Sequence, residues 1–268
     1  MCKIIAIHSF RGGTGKSNLT ANLAVAIASL QQPSGQNAQK GNRVAVVDTD
    51  LQSPGIHALF STDESITNNT LNDYLWNRNS ISDIACDVSS HLGIESKGRV
   101  FLIPSSINAD EIARIEYEGY NVNLLNSGFR RLIEELDLDY LFIDTHPGLS
   151  RETLLSIAIC DLLIVILRPD RQDFQGTAVT VDVARQLKVR NMMLVINKTP
   201  IKMDFSALQQ KVEKTYKIPV AGILPLSEDM VQLGSCGLFC LQYPDHPLTV
   251  MLKHIAEKAI LETCQVIK

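Results

Sequence analysis

Three short stretches of this chain carry residue types whose spacing suits phosphate chemistry: FRGGTGKS at 10–17, DTDLQSPG at 48–55 and DTHPG at 144–148. In the first, Gly12, Gly13 and Gly15 keep side chains out of a turn, so its backbone N–H groups can approach phosphate oxygens. The helix expected to follow adds the positive end of its dipole. Lys16 has the reach to meet β- and γ-phosphates, and the Ser17 hydroxyl suits Mg2+. Thr14 and Asn18 belong to the same cradle. Two residues depart from the general phosphate-loop pattern: Phe10 stands where glycine is expected, and Arg11 puts a cation ahead of the glycines.

The other two stretches supply acids. Asp144 closes the apolar run YLFI, the pattern of a strand-end carboxylate that supports Mg2+, often through water. Pro147 and Gly148 just after it suit a switch loop in which a glycine N–H senses a γ-phosphate. Asp48 and Asp50 follow RVAVV, and residues two apart in extended chain share a face. Both carboxylates are therefore expected to face the phosphates, one ordering metal-bound water and Asp50 orienting the attacking water. His146 reads as an exposed loop histidine rather than a base, since Asp50 is better placed for that work. In INKTP, Asn197–Lys198 begin a guanine-reading NKxD pattern, but Pro200 occupies the place of its Asp. Adenine is the expected base, so ATP and Mg2+ are the expected ligands.

Strands must place these turns. KIIAIHS, RVAVVD, VFLIPS, YLFID, LLIVILRP, MMLVINK and VAGILP are apolar runs without strict alternation, as in strands covered on both faces of a parallel sheet. Between them, 17–30 has Leu19, Leu23, Ala26, Ile27 and Leu30 at helical spacing, and 129–136 and 176–187 behave alike. The alternation predicts an α/β fold: a mostly parallel, doubly wound sheet of about seven or eight strands flanked by helices. In such a sheet all three turns meet at the carboxyl ends of the strands.

Residues 31–43 are polar and rich in breakers, as expected of a mobile surface insertion. Residues 61–99 are polar with a helical patch, LNDYLW, and are expected to cap the nucleotide side. No repeat or composition shift divides the chain, and the first strand begins at residue 3. One domain over 1–268 is expected, with no room for an N-terminal DNA-reading module.

The bulk composition narrows the class. At 268 residues and 45% hydrophobic, the chain buries a sizeable core. A net charge of -4 and a pI near 5.9 argue against wholesale coating of nucleic acid. Six cysteines are scattered rather than framed, which fits a reducing compartment. There is no signal-peptide pattern and no apolar run approaching the ~18 residues that span a bilayer. A cytoplasmic protein is expected.

Together these residues resemble the MinD/ParA family of ATPases with a variant phosphate loop. RGGTGKS is similar to its KGGxGK[ST] loop, DTDLQSPG to its switch I, DTHPG to its switch II, and INK with GILP to its adenine-binding segments. The layout covers residues 3 to about 262, and the LNDYL…VFLIPS region is similar to the MinD-like branch. The resemblance implies an ATPase that dimerises face to face on ATP and acts on a protein activator or cargo. Lys16 and Ser17 would bind phosphate and Mg2+, Asp50 would place the hydrolytic water, and Asp48 and Asp144 would support the metal. Asn197 and Pro225 would flank adenine, and Phe10 falls where this variant loop tolerates other residues. The family has Lys at the place of Arg11, reaching across the dimer to the partner's phosphates. Arg keeps the charge but is longer and planar. It acts as an arginine finger, or it fits badly and leaves a slow hydrolyser; the sequence leaves both open.

Competing roles are weaker in the residues. In VMLKHIAEKAILETCQVIK, Leu252, Ile255, Ala256, Ala259 and Ile260 form one stripe without a basic cluster, as in a final core helix rather than a membrane anchor. Arg130–Arg131 and Lys188/Arg190 are candidates for nonspecific DNA contact but read as solvated charges. Cys236 and Cys240 suggest the metallochaperone relatives. Those carry two residues between their cysteines, whereas three lie between here, which favours buried small hydrophobes.

Overall fold

The structure is a computed structural model that describes residues 2–30, 41–60 and 69–264. Its strands are β1 (Lys3–His8), β2 (Arg43–Asp48), β3 (Cys86–Asp87), β4 (Arg99–Ile103), β5 (Tyr140–Asp144), β6 (Leu162–Leu167), β7 (Asn191–Thr199) and β8 (Val220–Pro225). The helices up to the middle of the chain are α1 (Lys16–Ser29), α2 (Ile56–Leu59), α3 (Leu71–Leu75), α4 (Ala109–Glu118), α5 (Val122–Glu135) and α6 (Arg151–Ile159). Then come α7 (Arg171–Gln186), α8 (Phe205–Tyr216), α9 (Glu228–Leu233), α10 (Phe239–Gln242) and α11 (Pro247–Cys264). All seven apolar runs named above form strands.

The eight strands form one sheet in the order β3-β4-β2-β5-β1-β6-β7-β8, parallel throughout except for β3 against β4. The doubly wound α/β expectation holds. Chain order reverses around β1: β2 lies to one side of it and β6 to the other, which opens a crevice beyond the carboxyl ends.

Alternate residues of each strand feed two cores. Ile5, Ile7, Val46, Phe142 and Ile164 pack beneath α1 and α11, whereas Ala6, Val47, Ile143 and Val165 pack beneath α5, α6, α7 and α8. Helix α1 is apolar nearly all round and sits between the sheet and α11, with Leu19 to Ala28 buried almost without break. The stripe at Leu252, Ile255, Ala256 and Ala259 is buried, so α11 is a core helix. No helix among the described residues is long and apolar enough to cross a membrane.

Two organisational expectations change. Most of the expected insertion, 31–40, lies outside the described residues. Its end does not: Asn42 is buried, its amide donates to the carbonyls of Ile27 and Leu30 at the end of α1, and Arg43 starts β2. Within 61–99, residues 61–68 lie outside the described residues, and the remainder builds the sheet's flank rather than a cap over the site. Leu71, Tyr74, Leu75, Ile81 and Ile84 join one core and Val88 and Ile94 the other, with β3 as the edge strand. The polar composition hid these alternating anchors.

The far edge is β8. Its Val220 N–H donates to Glu213 of α8 at 2.9 Å, and its Ala221 carbonyl accepts from Lys258 of α11 at 2.9 Å.

Gly98 leads into β4 where a Cβ would fall 2.1 Å from the Ala28 carbonyl oxygen and 2.8 Å from that of Asn42. Backbone atoms cannot swing aside there. Gly98→Ala is expected to destabilise the chain by about 1–3 kcal/mol, read as a lowered denaturation midpoint with unchanged slope.

Candidate nucleotide site

The turn between β1 and α1 is shaped by glycine. Gly13 and Gly15 have φ of 74° and 95°, which L side chains rarely adopt. Gly15 is also crowded: a Cβ there would lie 2.6 Å from Asn197 Nδ2. From the end of β7, Asn197 Nδ2 donates to the Thr14 carbonyl at 2.8 Å, and Lys198 Nζ donates to the Gly13 carbonyl at 2.8 Å. Asn197 Oδ1 accepts from the Lys198 backbone N–H at 2.8 Å. Both ends of the Asn197 amide are thus engaged within the chain, so it holds the loop's shape although it also lines the neighbouring cavity.

Beneath the first turn of α1 lies Asp144, buried and hydrogen-bonded to the hydroxyl of Thr20 at 3.0 Å. Burial raises its pKa, while the Lys16 charge and hydrogen bonds from Ser17 and Thr20 pull the other way. Strand pairing sets Asp48 directly beside it. Asp48 is fully buried, and burial and the Asp144 charge push its pKa up to about 8. An oxygen-rich, doubly acidic strand end suits a hard divalent cation.

Asp48 and Asp50 take different hydrogen-bond partners, although the Asp50 charge acts on both Asp48 and Asp144. Asp48 accepts the backbone N–H of Asp50 at 3.0 Å through one oxygen, and those of Gly55 and Ile56 at 3.2 and 3.4 Å through the other. This Asx-type turn follows the end of β2, whose ladder continues one step further through the Thr49 N–H bonded to the Asp144 carbonyl at 2.9 Å. Asp50 swings towards the DTHPG turn, where its Oδ1 meets Ser53 N–H at 3.0 Å and His146 Nδ1 at 2.6 Å. His146 is accordingly no exposed loop residue; its side chain is 25% accessible. The signal that was missed is its position between Asp144 and Gly148, in a turn that β5 brings to the end of β2.

The DTHPG turn is fastened to β1. Thr145 donates its hydroxyl to the Ile7 carbonyl at 2.9 Å, and Gly148 N–H donates to the Ser9 carbonyl at 3.2 Å. With the Thr145 proton used on Ile7, the 2.8 Å contact to His8 has His8 Nδ1 as donor. His8 Nε2 then carries a bare lone pair, buried without a partner. Burial, then the Lys16 charge, lowers the His8 pKa to about 3, so the ring stays neutral.

Arg11 and Phe10 rest on α7. The Arg11 guanidinium hydrogen-bonds Gln172 and lies 3.8 Å from Asp173, whose carboxylate also takes three hydrogen bonds from Arg168, one from its backbone N–H and two from its guanidinium. Phe10 packs on Gly176, where a Cβ would meet its ring at 2.4 Å. That contact explains a glycine inside a helix and gives Phe10 a structural place.

Beside the glycine turn opens a cavity of about 280 Å³ lined by Gly15, Asn18, Asn197, Pro225, Leu226 and Met230, among others. Its largely apolar wall suits a flat heterocycle. Asn18, Asn197, Lys198 and Pro225 were expected here; the α9 residues Met230 and Val231 had no motif to announce them. Cys240 is buried, its N–H donates to Asn22, and burial raises its thiol pKa to about 11, so it is a core residue. Cys236 is exposed. Among the described residues, no group of three or more His, Cys, Asp or Glu could hold a metal.

A parallel sheet with a glycine turn opening α1 and an acidic strand end beside it defines a P-loop nucleoside triphosphatase. The model of the ParA family, described as NUBPL iron-transfer P-loop NTPase, matches residues 1–260, and the chain belongs to that family. An uncharacterized ATP-binding protein of Methanocaldococcus jannaschii is 27% identical over 262 residues, covering 97% of this chain and 88% of its own. The MinD in the MinC:MinD cell division complex of Aquifex aeolicus superposes with a TM-score of 0.76 at 16% identity, covering 97% and 96% of the two chains. MinD of Pyrococcus horikoshii, complexed with Mg-ADP, gives 0.76 at 18% with the same coverage.

Two measurements follow from the site. Asn197→Ala should weaken ATP and GTP binding alike, by about 3- to 10-fold, because the amide supports the loop; titration of both nucleotides checks this. Asp48 has an ordinary pKa of 3.8 when unfolded and about 8 when folded, so the folded state binds its proton more tightly. Its contribution to stability is full below about pH 4 and is lost as the pH rises to about 8. Denaturation midpoints without nucleotide should fall across that window, and Mg2+ with ATP should flatten the fall.

Proposed function

We propose that this chain is a Mg2+-dependent ATP-hydrolysing switch, acting as one unit over its length, that dimerises on ATP to regulate the positioning or partitioning of a partner. The observation that carries this reading is the convergence of Lys16, Ser17, Asp144 and Asp50 at the carboxyl ends of three adjacent strands. The loop fits a nucleotide: Thr14 Oγ1 is buried without a partner, and Gly13 keeps the turn open, with nothing within 4 Å of a Cβ built on it. The oxygen donors of Ser17 and Asp144 fit Mg2+, with Asp48 in support; when bound, the ion would neutralise charge on the phosphates.

In this mechanism the backbone N–H groups of residues 12–17 hold the phosphates, and Lys16 adds charge. Asp50 orients the attacking water. Pro225 and the apolar wall behind it take adenine, and Gly148 reports on the γ-phosphate through its tie to Ser9. Arg11 crosses to the partner's phosphates, having first left Gln172 and Asp173. The MinC:MinD complex among the structural neighbours supports a protein partner, and the Mg-ADP bound to another MinD supports the ligands. A metallochaperone stands second, supported by the iron-transfer description of the family model. Burial of Cys240 weighs against it, because a core thiol with a raised pKa is a poor ligand.

Asp50→Ala should retain Mg2+-dependent ATP binding and lose hydrolysis by at least ~10²-fold. Light scattering with ATP should then show a dimer, and Arg11→Ala should return it to monomer. Normal hydrolysis by Asp50→Ala, or a monomer with ATP and Arg11 intact, would overturn the proposal.

A further inference from the structure

The turn that carries Asp50 has no regular secondary structure, and Asp48 closes it from within. Among the described residues the Asp50 carboxylate has two hydrogen-bond partners. Ser53 belongs to the same turn and moves with it. His146 arrives from the end of β5, 96 residues away in sequence.

His146 is itself well anchored. Its neighbour Thr145 is bonded to Ile7 through both backbone N–H and hydroxyl, and Gly148 N–H is bonded to Ser9, so β1 holds the chain on either side. The His146 carbonyl accepts from the Thr153 hydroxyl of α6 at 3.2 Å. With the backbone fixed on both flanks and at its own carbonyl, the imidazole offers a rigid donor to a carboxylate whose other partner among the described residues, Ser53, belongs to the same loop. An ionised carboxylate only accepts, which assigns the ring proton to Nδ1.

We propose that His146 is a positioning residue that fixes the Asp50 carboxylate for hydrolysis through the Nδ1–H···Oδ1 contact. This rests on the reading of Asp50 as the residue that orients water. A carboxylate that must aim a water gains rate when its alternative rotamers are removed beforehand, and small misplacements at such a site are costly. The contact occupies Nδ1 and leaves the Nε2 lone pair free, so a variant that keeps the donor but has no ring nitrogen separates positioning of Asp50 from proton abstraction by the ring.

The test uses the full chain. His146→Ala should lower kcat for ATP about 10- to 100-fold with the affinity for Mg-ATP unchanged. His146→Asn, which keeps a donor where Nδ1 stands but cannot accept a proton, should restore most of the rate. Added to Asp50→Ala, His146→Ala should cost nothing further. An unchanged rate in His146→Ala, an Asn variant as slow as the Ala one, or a full extra loss in the double variant would each overturn the proposal.

A second readout is independent of turnover. Imidazole 15N spectra of the unsubstituted chain should show His146 protonated at Nδ1, and Asp50→Ala should move that proton to Nε2. A ring protonated at Nε2 before substitution, or unchanged after it, would overturn the contact. If Asp50→Ala hydrolysed ATP normally while this proton moved, the contact would stand and the assignment of Asp50 to hydrolysis would fall.

Discussion

A buried carboxylate under the first turn of a helix governs this site. Asp144 is buried at the end of β5, accepts from Thr20, and lies close to Lys16 and Ser17. These interactions fix how α1 leaves the sheet, and with it the direction of every N–H in the glycine turn. The cost is electrostatic. Asp48 stands beside it on the paired strand, and two acids in one desolvated space raise each other's proton affinity. The fold tolerates this unfavourable pair at the place where a cation and a polyphosphate would relieve it. Such concentrated local strain is expected where a sequence has been shaped for binding.

Much of this was legible because it follows from local rules. Glycines at 12, 13 and 15 report a turn, apolar runs report strands, and a parallel sheet brings the ends of those strands together. The glycine turn, Asp144 and the core character of α11 could be read from neighbouring residues alone, whereas Pro225 was legible only through the family resemblance. The two-sided strands were legible for the same reason: runs such as LLIVIL leave no polar face for solvent.

The rest depended on contacts between distant segments. Asn197 was placed beside adenine by the family resemblance and lines the cavity, but only the path of β7 past Thr14 shows both ends of its amide engaged with backbone as well. That the Asp48 carboxylate turns back onto the backbone N–H groups of Asp50, Gly55 and Ile56 was not legible, because nothing in the DTDLQSPG stretch announces those bonds. His146 was taken for a surface residue because nothing near it in sequence is its partner; that partner lies 96 positions earlier. Arg11 resting on α7 is equally non-local.

The outer strands limit how copies of this chain can join. At one end β3 is two residues long and antiparallel, too short to template another strand. At the other, Glu213 and Lys258 occupy the outward N–H and carbonyl of β8 with side chains of their own. Growth by adding strand to strand, which leads to open-ended fibres, is obstructed at both margins. A contact made through a face of the molecule, unlike one made through a strand edge, can close after two copies.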